Sequence, residues 1–152
     1  MPGTQAHRVT ANGERGLRAF GPVVHATMFD YDFAVTGSIA SSTNLSKHAV
    51  PAGANVIGGW YKVLTTFTSV GDGATIALSL VGANDLVTAI AINDASNPWD
   101  IDLTKERPLK AIATQLVAEK YVAAISTTEV LTAGKLIGVV YWVLPEVVSN
   151  TH

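Results

Sequence analysis

The chain contains no cysteine. That excludes a disulfide framework, a thiolate metal site and a cysteine nucleophile, and it leaves the redox compartment open. Charge is scarce too. Asp, Glu, Lys and Arg make up 14% of the 152 residues, against about 25% in ordinary globular domains. The net charge of −2 carries no basic excess, so the electrostatic footprint of a nucleic-acid binder is absent. No run reaches the roughly 18 apolar residues of a membrane-spanning helix. The opening stretch, MPGTQAHRVTANGERG, has no apolar core of a secretory signal. The expected product begins near Met1 or Pro2 and is made in a cytoplasm.

Familiar chemical signatures are missing as well. There is no Gly-x-Ser-x-Gly elbow, phosphate loop, His-Glu-x-x-His pair or dinucleotide fingerprint. His7, His25, His48 and His152 never fall two or four residues apart. A histidine metal site or general base would need long-range convergence.

What is present is a hydrophobic fraction of 48% with many Ser, Thr and Gly residues. The length suits one domain plus an appendage, with enough chain to bury a full core. Residues 1–27 have little apolar periodicity, four glycines, and Arg8, Arg15 and Arg18 against Glu14. They read as an extended N-terminal arm, either a tail with no role or a segment that orders on a neighbouring subunit. Residues 28–152 read as the domain.

From Met28 the pattern has period two: Phe29, Tyr31, Phe33 and Val35 alternate with Asp30, Asp32 and Ala34, as in a half-buried strand. A long strand is expected over 55–67, with Ile57, Tyr61, Val63 and Phe67 on one face and a bulge at Gly58-Gly59. Val70-Gly-Asp-Gly73 signals a turn, and the runs on either side read as a hairpin. In the second run Ile76, Leu78 and Leu80 face inward. Residues 86–92 and 109–118 are ambiguous between strand and helix. Residues 135–144 are apolar on both faces: Ile137, Val139, Tyr141 and Val143 on one, Val140, Trp142 and Leu144 on the other. Such a strand is either central and covered twice, or it offers Val140, Trp142 and Leu144 to another subunit. Six to eight short strands with turns every 8–12 residues imply an all-β, antiparallel β-sandwich or barrel.

Asp94, Asp100 and Asp102 share a loop with Asn93 and Asn97. They are the best oxygen-ligand set for a hard cation, although Asp and Asn in loops more often cap their own turns. Asp30 and Asp32 point the same way from one strand, which is the pattern of a solvated face. Trp60, Trp99 and Trp142 could line a sugar-binding face or serve as core and interface anchors.

Several phrases carry a family resemblance: Phe29-Asp-Tyr-Asp-Phe-Ala-Val35, Gly59-Trp-Tyr-Lys-Val-Leu-Thr-Thr-Phe-Thr-Ser69, Gly71-Asp-Gly-Ala-Thr-Ile-Ala-Leu78, Asn97-Pro-Trp-Asp100 and Leu131-Thr-Ala-Gly-Lys135. Tyr31 to Leu144 resembles the head decoration, or cement, proteins of bacteriophages. The resemblance implies a jelly roll without catalytic residues or cofactor. It implies a virion protein on the outer capsid surface, bound to the major capsid protein and bridging its neighbouring subunits as a trimer. In that role residues 1–27 would lie against capsid or a neighbouring copy, with Arg8, Arg15, Arg18, Leu17 and Phe20 making contact. The competing readings are a head- or tail-fibre component, a carbohydrate-binding module for host attachment and, last, an enzyme.

Overall fold

The computed structural model describes residues 23–39, 42–102 and 104–145. Eight strands form within them: β1 (His25–Asp32), β2 (Thr43–Asn44), β3 (Asn55–Ser69), β4 (Thr75–Ser79), β5 (Val87–Ala91), β6 (Arg107–Leu109), β7 (Ala123–Thr127) and β8 (Leu131–Val143). One helical turn, α1 (Phe33–Thr36), follows β1. The strands make two four-stranded sheets, ordered β1-β8-β3-β6 and β2-β7-β4-β5, and every neighbouring pair is antiparallel. Every connection except the β4–β5 hairpin crosses from one sheet to the other, which gives the jelly-roll form of the β-sandwich that the resemblance implied.

The inner faces supply the core. β1 contributes Phe29 and Tyr31, β3 contributes Tyr61, Val63 and Phe67, and β8 contributes Leu136 and Val140; Ile76 and Leu78 of β4 oppose them. Trp99 fills the space between the sheets and is fully buried. Its indole Nε1 donates to the Ile90 carbonyl at 3.0 Å. Its ring lies 5.4 Å from that of Tyr61 and 5.9 Å from that of Phe67.

The alternating pattern from Met28 extends three residues further back than expected, to His25, so the tail end of the expected arm is strand. The pattern also ends sooner. The Asp32 carboxylate accepts from Ala34 N–H and caps α1, which takes Phe33 and Val35 out of the ladder and leaves Val35 84% exposed. The expected hairpin around Gly71-Asp72-Gly73 does not form. β3 and β4 lie in different sheets, and the turn between them carries the chain across the sandwich. Residues 109–118 form neither strand nor helix beyond Leu109. They bend twice beside the start of β3, with Ile112 N–H on Val56 O and Leu116 N–H on Ala54 O.

The bulge in β3 lies where the glycine pair predicts it. Partnering with β8 jumps from Val56–Trp142 to Gly58–Tyr141, which throws Ile57 off the inner face; Ile57 is 49% exposed. Gly59 has φ +153°, and a Cβ there would stand 2.1 Å from the Val139 carbonyl oxygen. Gly59→Ala is therefore expected to destabilise the fold by more than about 1 kcal/mol, measured as a lower urea midpoint with an unchanged slope. A neutral result would mean that the bulge can relax without cost.

Candidate docking surface

Because side chains alternate along a strand, the ladder register fixes what the β1-β8-β3-β6 sheet shows on the side away from the core. Three rows cross its middle, and a further one, Asp32, Lys135 and Thr65, follows them. Ala26, Tyr141 and Gly58 form the first; Met28, Val139, Trp60 and Pro108 the second; Asp30, Ile137 and Lys62 the third. Tyr141 and Trp60 are joined on this face, the indole Nε1 donating to the tyrosine hydroxyl at 3.2 Å. Met28 is 72% exposed, Pro108 is exposed, Trp60, Ile137 and Tyr141 are half-buried, and Val139, between its larger neighbours, is 8% exposed. The second row is thus an apolar band across all four strands, bordered by one acid and one base. A little further along β1, Asp32 pairs with Lys135 at 2.9 Å.

Of the residues singled out from sequence, Arg8, Arg15, Arg18, Leu17 and Phe20 lie outside the described residues. Val140, expected at an oligomer interface, is fully buried in the core. β8 is central, and the face assigned to a partner is the inward one. Trp142 belongs to the same inward face. It is half-buried at the end of the sandwich, donating from Nε1 to Thr27 Oγ1 at 3.0 Å and stacked on His25 at 4.5 Å. Leu144 lies past the strand and is 42% exposed. The outward, apolar surface of β8 is made instead by Ile137, Val139 and Tyr141, the set not chosen. Sequence alternation separates the two sets but does not say which faces in.

Asp94, Asp100 and Asp102 are not brought together; among the described residues no group of three or more potential metal ligands occurs. Each carboxylate holds its own turn. Asp94 accepts from Ser96 N–H and Oγ, Asp102 from Thr104 N–H and Oγ1, and Asp100 from Thr66 Oγ1 and Ile101 N–H. Hydrogen bonds from Ser96 and from Thr104 hold Asp94 and Asp102 below the usual carboxylate range. The three tryptophans share no platform either. Trp99 is between the sheets, Trp142 on the inner side of β8 and Trp60 on the outer side of β3, so a sugar-binding face built from them does not exist.

Sequence reading missed Glu129. Its carboxylate accepts from Ser69 Oγ at 2.6 Å, Gly71 N–H at 2.9 Å and Gly73 N–H at 3.0 Å. It thereby closes the β3–β4 crossing turn from a position near the start of β8. Only a fold that brings 69–73 to 129 reveals it. The same bonds, Ser69 first, lower its pKa. By contrast, burial raises the Tyr31 and Tyr61 hydroxyls to about 12.

No protein-family model matches this chain, and no curated protein matches it. Solved structures do. The chain is similar to one in the cyanophage Pam1 capsid asymmetric unit, with a TM-score of 0.58 and 18% identity over 83% of this chain and 88% of that one. A chain of the acidic stable capsid of Helicobacter pylori bacteriophage KHP30 gives 0.57 and 18% over 84% and 93%. One in the capsid of Ralstonia phage GP4 gives 0.53 and 15% over 84% and 87%. At these identities the likeness is one of fold, and it spans more than four fifths of both chains in each case.

Two outcomes are expected from these contacts. A carboxylate with a depressed folded pKa stabilises the fold above its unfolded value, about 4.3 for Glu, and that contribution is lost as pH falls through the lower folded value. Glu129→Gln should therefore lower Tm at neutral pH and flatten the acid limb of the Tm–pH curve; an acid limb identical to that of the parent chain would remove Glu129 from it. Trp99→Ala should cost about 3–5 kcal/mol, as large core truncations do, read from the urea midpoint.

Proposed function

We propose that this chain is a structural component of a phage virion, a cement protein that binds the outer surface of the capsid and bridges neighbouring capsid subunits. The observation that supports it most is the likeness in fold, over more than four fifths of this jelly-roll chain, to chains in three phage capsids. The surface fits the role. It has an apolar band where a free monomer would ordinarily show charge.

A filled head pushes its shell outward. A protein that holds the shell must bury surface across subunit boundaries, and each contact need only be modest if several act together. The trimer implied by the resemblance would link three such contacts, so that the second and third form at high effective concentration. In this proposal residues 1–22, with Arg8, Arg15 and Arg18, reach the major capsid protein or an adjacent copy. Leu17 and Phe20 add apolar contact, and ordering the segment costs part of the gain.

The test is co-sedimentation of purified protein with heads that lack it. The full chain should bind saturably, with fixed stoichiometry. Deleting residues 1–22, which stops short of β1 and leaves its ladder with β8 intact, should weaken binding by roughly tenfold or more. Reversing Arg8, Arg15 and Arg18 to Glu should do the same in a salt-dependent way. Unchanged occupancy after the deletion takes the segment out of the mechanism; no binding by the full chain takes away the function.

A further inference from the structure

The outer face of the β1-β8-β3-β6 sheet has a charge pattern that complements itself. In the third row Asp30 of β1 and Lys62 of β3 flank Ile137 of β8. Neighbouring strands are about 4.8 Å apart, so the acid and the base stand at nearly equal distances on opposite sides of the central strand. Neither has an ion-pair partner among the described residues. In the second row Met28 and Trp60 flank Val139 in the same manner.

We infer that this face docks onto the same face of a second copy, through a two-fold axis that runs parallel to β8 and above it. Such an axis exchanges left and right within a row and keeps the row. It sets Asp30 against Lys62 of the second copy, twice over, and Met28 against Trp60; Ile137 meets its own counterpart beside the nearly covered Val139, and at the end of the contact Lys135, tied to Asp32, faces its own counterpart. A two-fold across the strands, over the second row, also brings the face onto itself. It would set Asp30 against Ala26 and Lys62 against Gly58, stranding all four charges in an apolar contact, which is costly. The charge row therefore selects both the partner and the axis. Sheets packed face to face cross at about 30°, a rotation that long side chains such as Lys62 and Met28 can follow.

The contact is modest. Four strands span about 14 Å between outer axes, and the eight residues from Asn55 to Lys62 extend about 26 Å. The buried area falls near the lower end of stable interfaces, about 1,000 Å² in total. A reversible, concentration-dependent dimer is the expected behaviour. The inference does not depend on the capsid reading: the contact forms in the purified protein with no virus present.

Sedimentation velocity of the full chain over a wide concentration range tests it. The parent chain should pass from monomer to dimer. Asp30→Lys and Lys62→Asp should each raise the dissociation constant by roughly tenfold or more, the range for close interfacial charge pairs. An equimolar mixture of the two single variants should dimerise again, because each copy then offers two like charges of opposite sign to its partner's. The doubly exchanged chain, D30K/K62D, should recover too. Both positions are on the surface, so unchanged circular dichroism and melting show that the variants fold. Trp60→Ser should weaken every combination. A mass that ignores the single variants, as in a trimer built on another face or a sheet covered by the chain's own terminal segments, overturns the inference. So does loss in the single variants that mixing does not reverse, the result expected if this face binds a different protein.

Discussion

Strand β8 is the member on which the first sheet depends. It lies between β1 and β3, pairing with β1 over all eight residues of that strand and with most of β3. Its inner face is shaped by what it omits. At Gly138 a Cβ would stand 2.2 Å from the Phe29 ring, so the ring lies directly on backbone. Burying an aromatic side chain of that size contributes about 1.5–3 kcal/mol. With Leu136 and Val140 fully buried on the same side, the inner surface is committed to the core. The outer surface, Ile137, Val139 and Tyr141, is then left for whatever lies outside the monomer.

The shortage of charge has a structural explanation. Many of the carboxylates are used inside turns. Asp85 accepts from Leu80, Val81 and Gly82 N–H groups, Asp32 caps α1, Asp94 and Asp102 hold Asx-type turns, and Glu129 closes the crossing between sheets. Long jelly-roll connections carry unpaired backbone N–H groups that need acceptors. These acids stay ionised at the surface but are tied to turns, and the outer sheet face keeps only a few charges. With so few on that face, a single acid and base such as Asp30 and Lys62 can set an orientation.

Much of the fold was legible in the sequence. Alternation at Phe29 and Tyr31, and at Ile76, Leu78 and Leu80, identified real strands with the right residues inside, and the Gly58-Gly59 pair located a real bulge. The failures share a cause, because short-range patterns say nothing of pairing. Gly71-Asp72-Gly73 is good hairpin chemistry, but the flanking strands found partners in different sheets. Val140 and Val139 are equally apolar, and only the ladder with β1 and β3 assigns one to the core. Trp99, in the loop that Asn97-Pro98 marks, reads from sequence as either a sugar-binding platform or a core anchor; the loop folds back and buries it between the sheets. Glu129 had no local signal at all.

The order of strands in space also bears on how the molecule comes into being. β1 begins within the first thirty residues, yet its ladder partner is β8, more than a hundred residues downstream. During synthesis β1 must wait, with Phe29 and Tyr31 bare, until almost the entire polypeptide has left the ribosome. Contacts so distant along the chain form slowly. The jelly-roll order thus leaves two core aromatics of β1 without their cover for most of the chain's emergence.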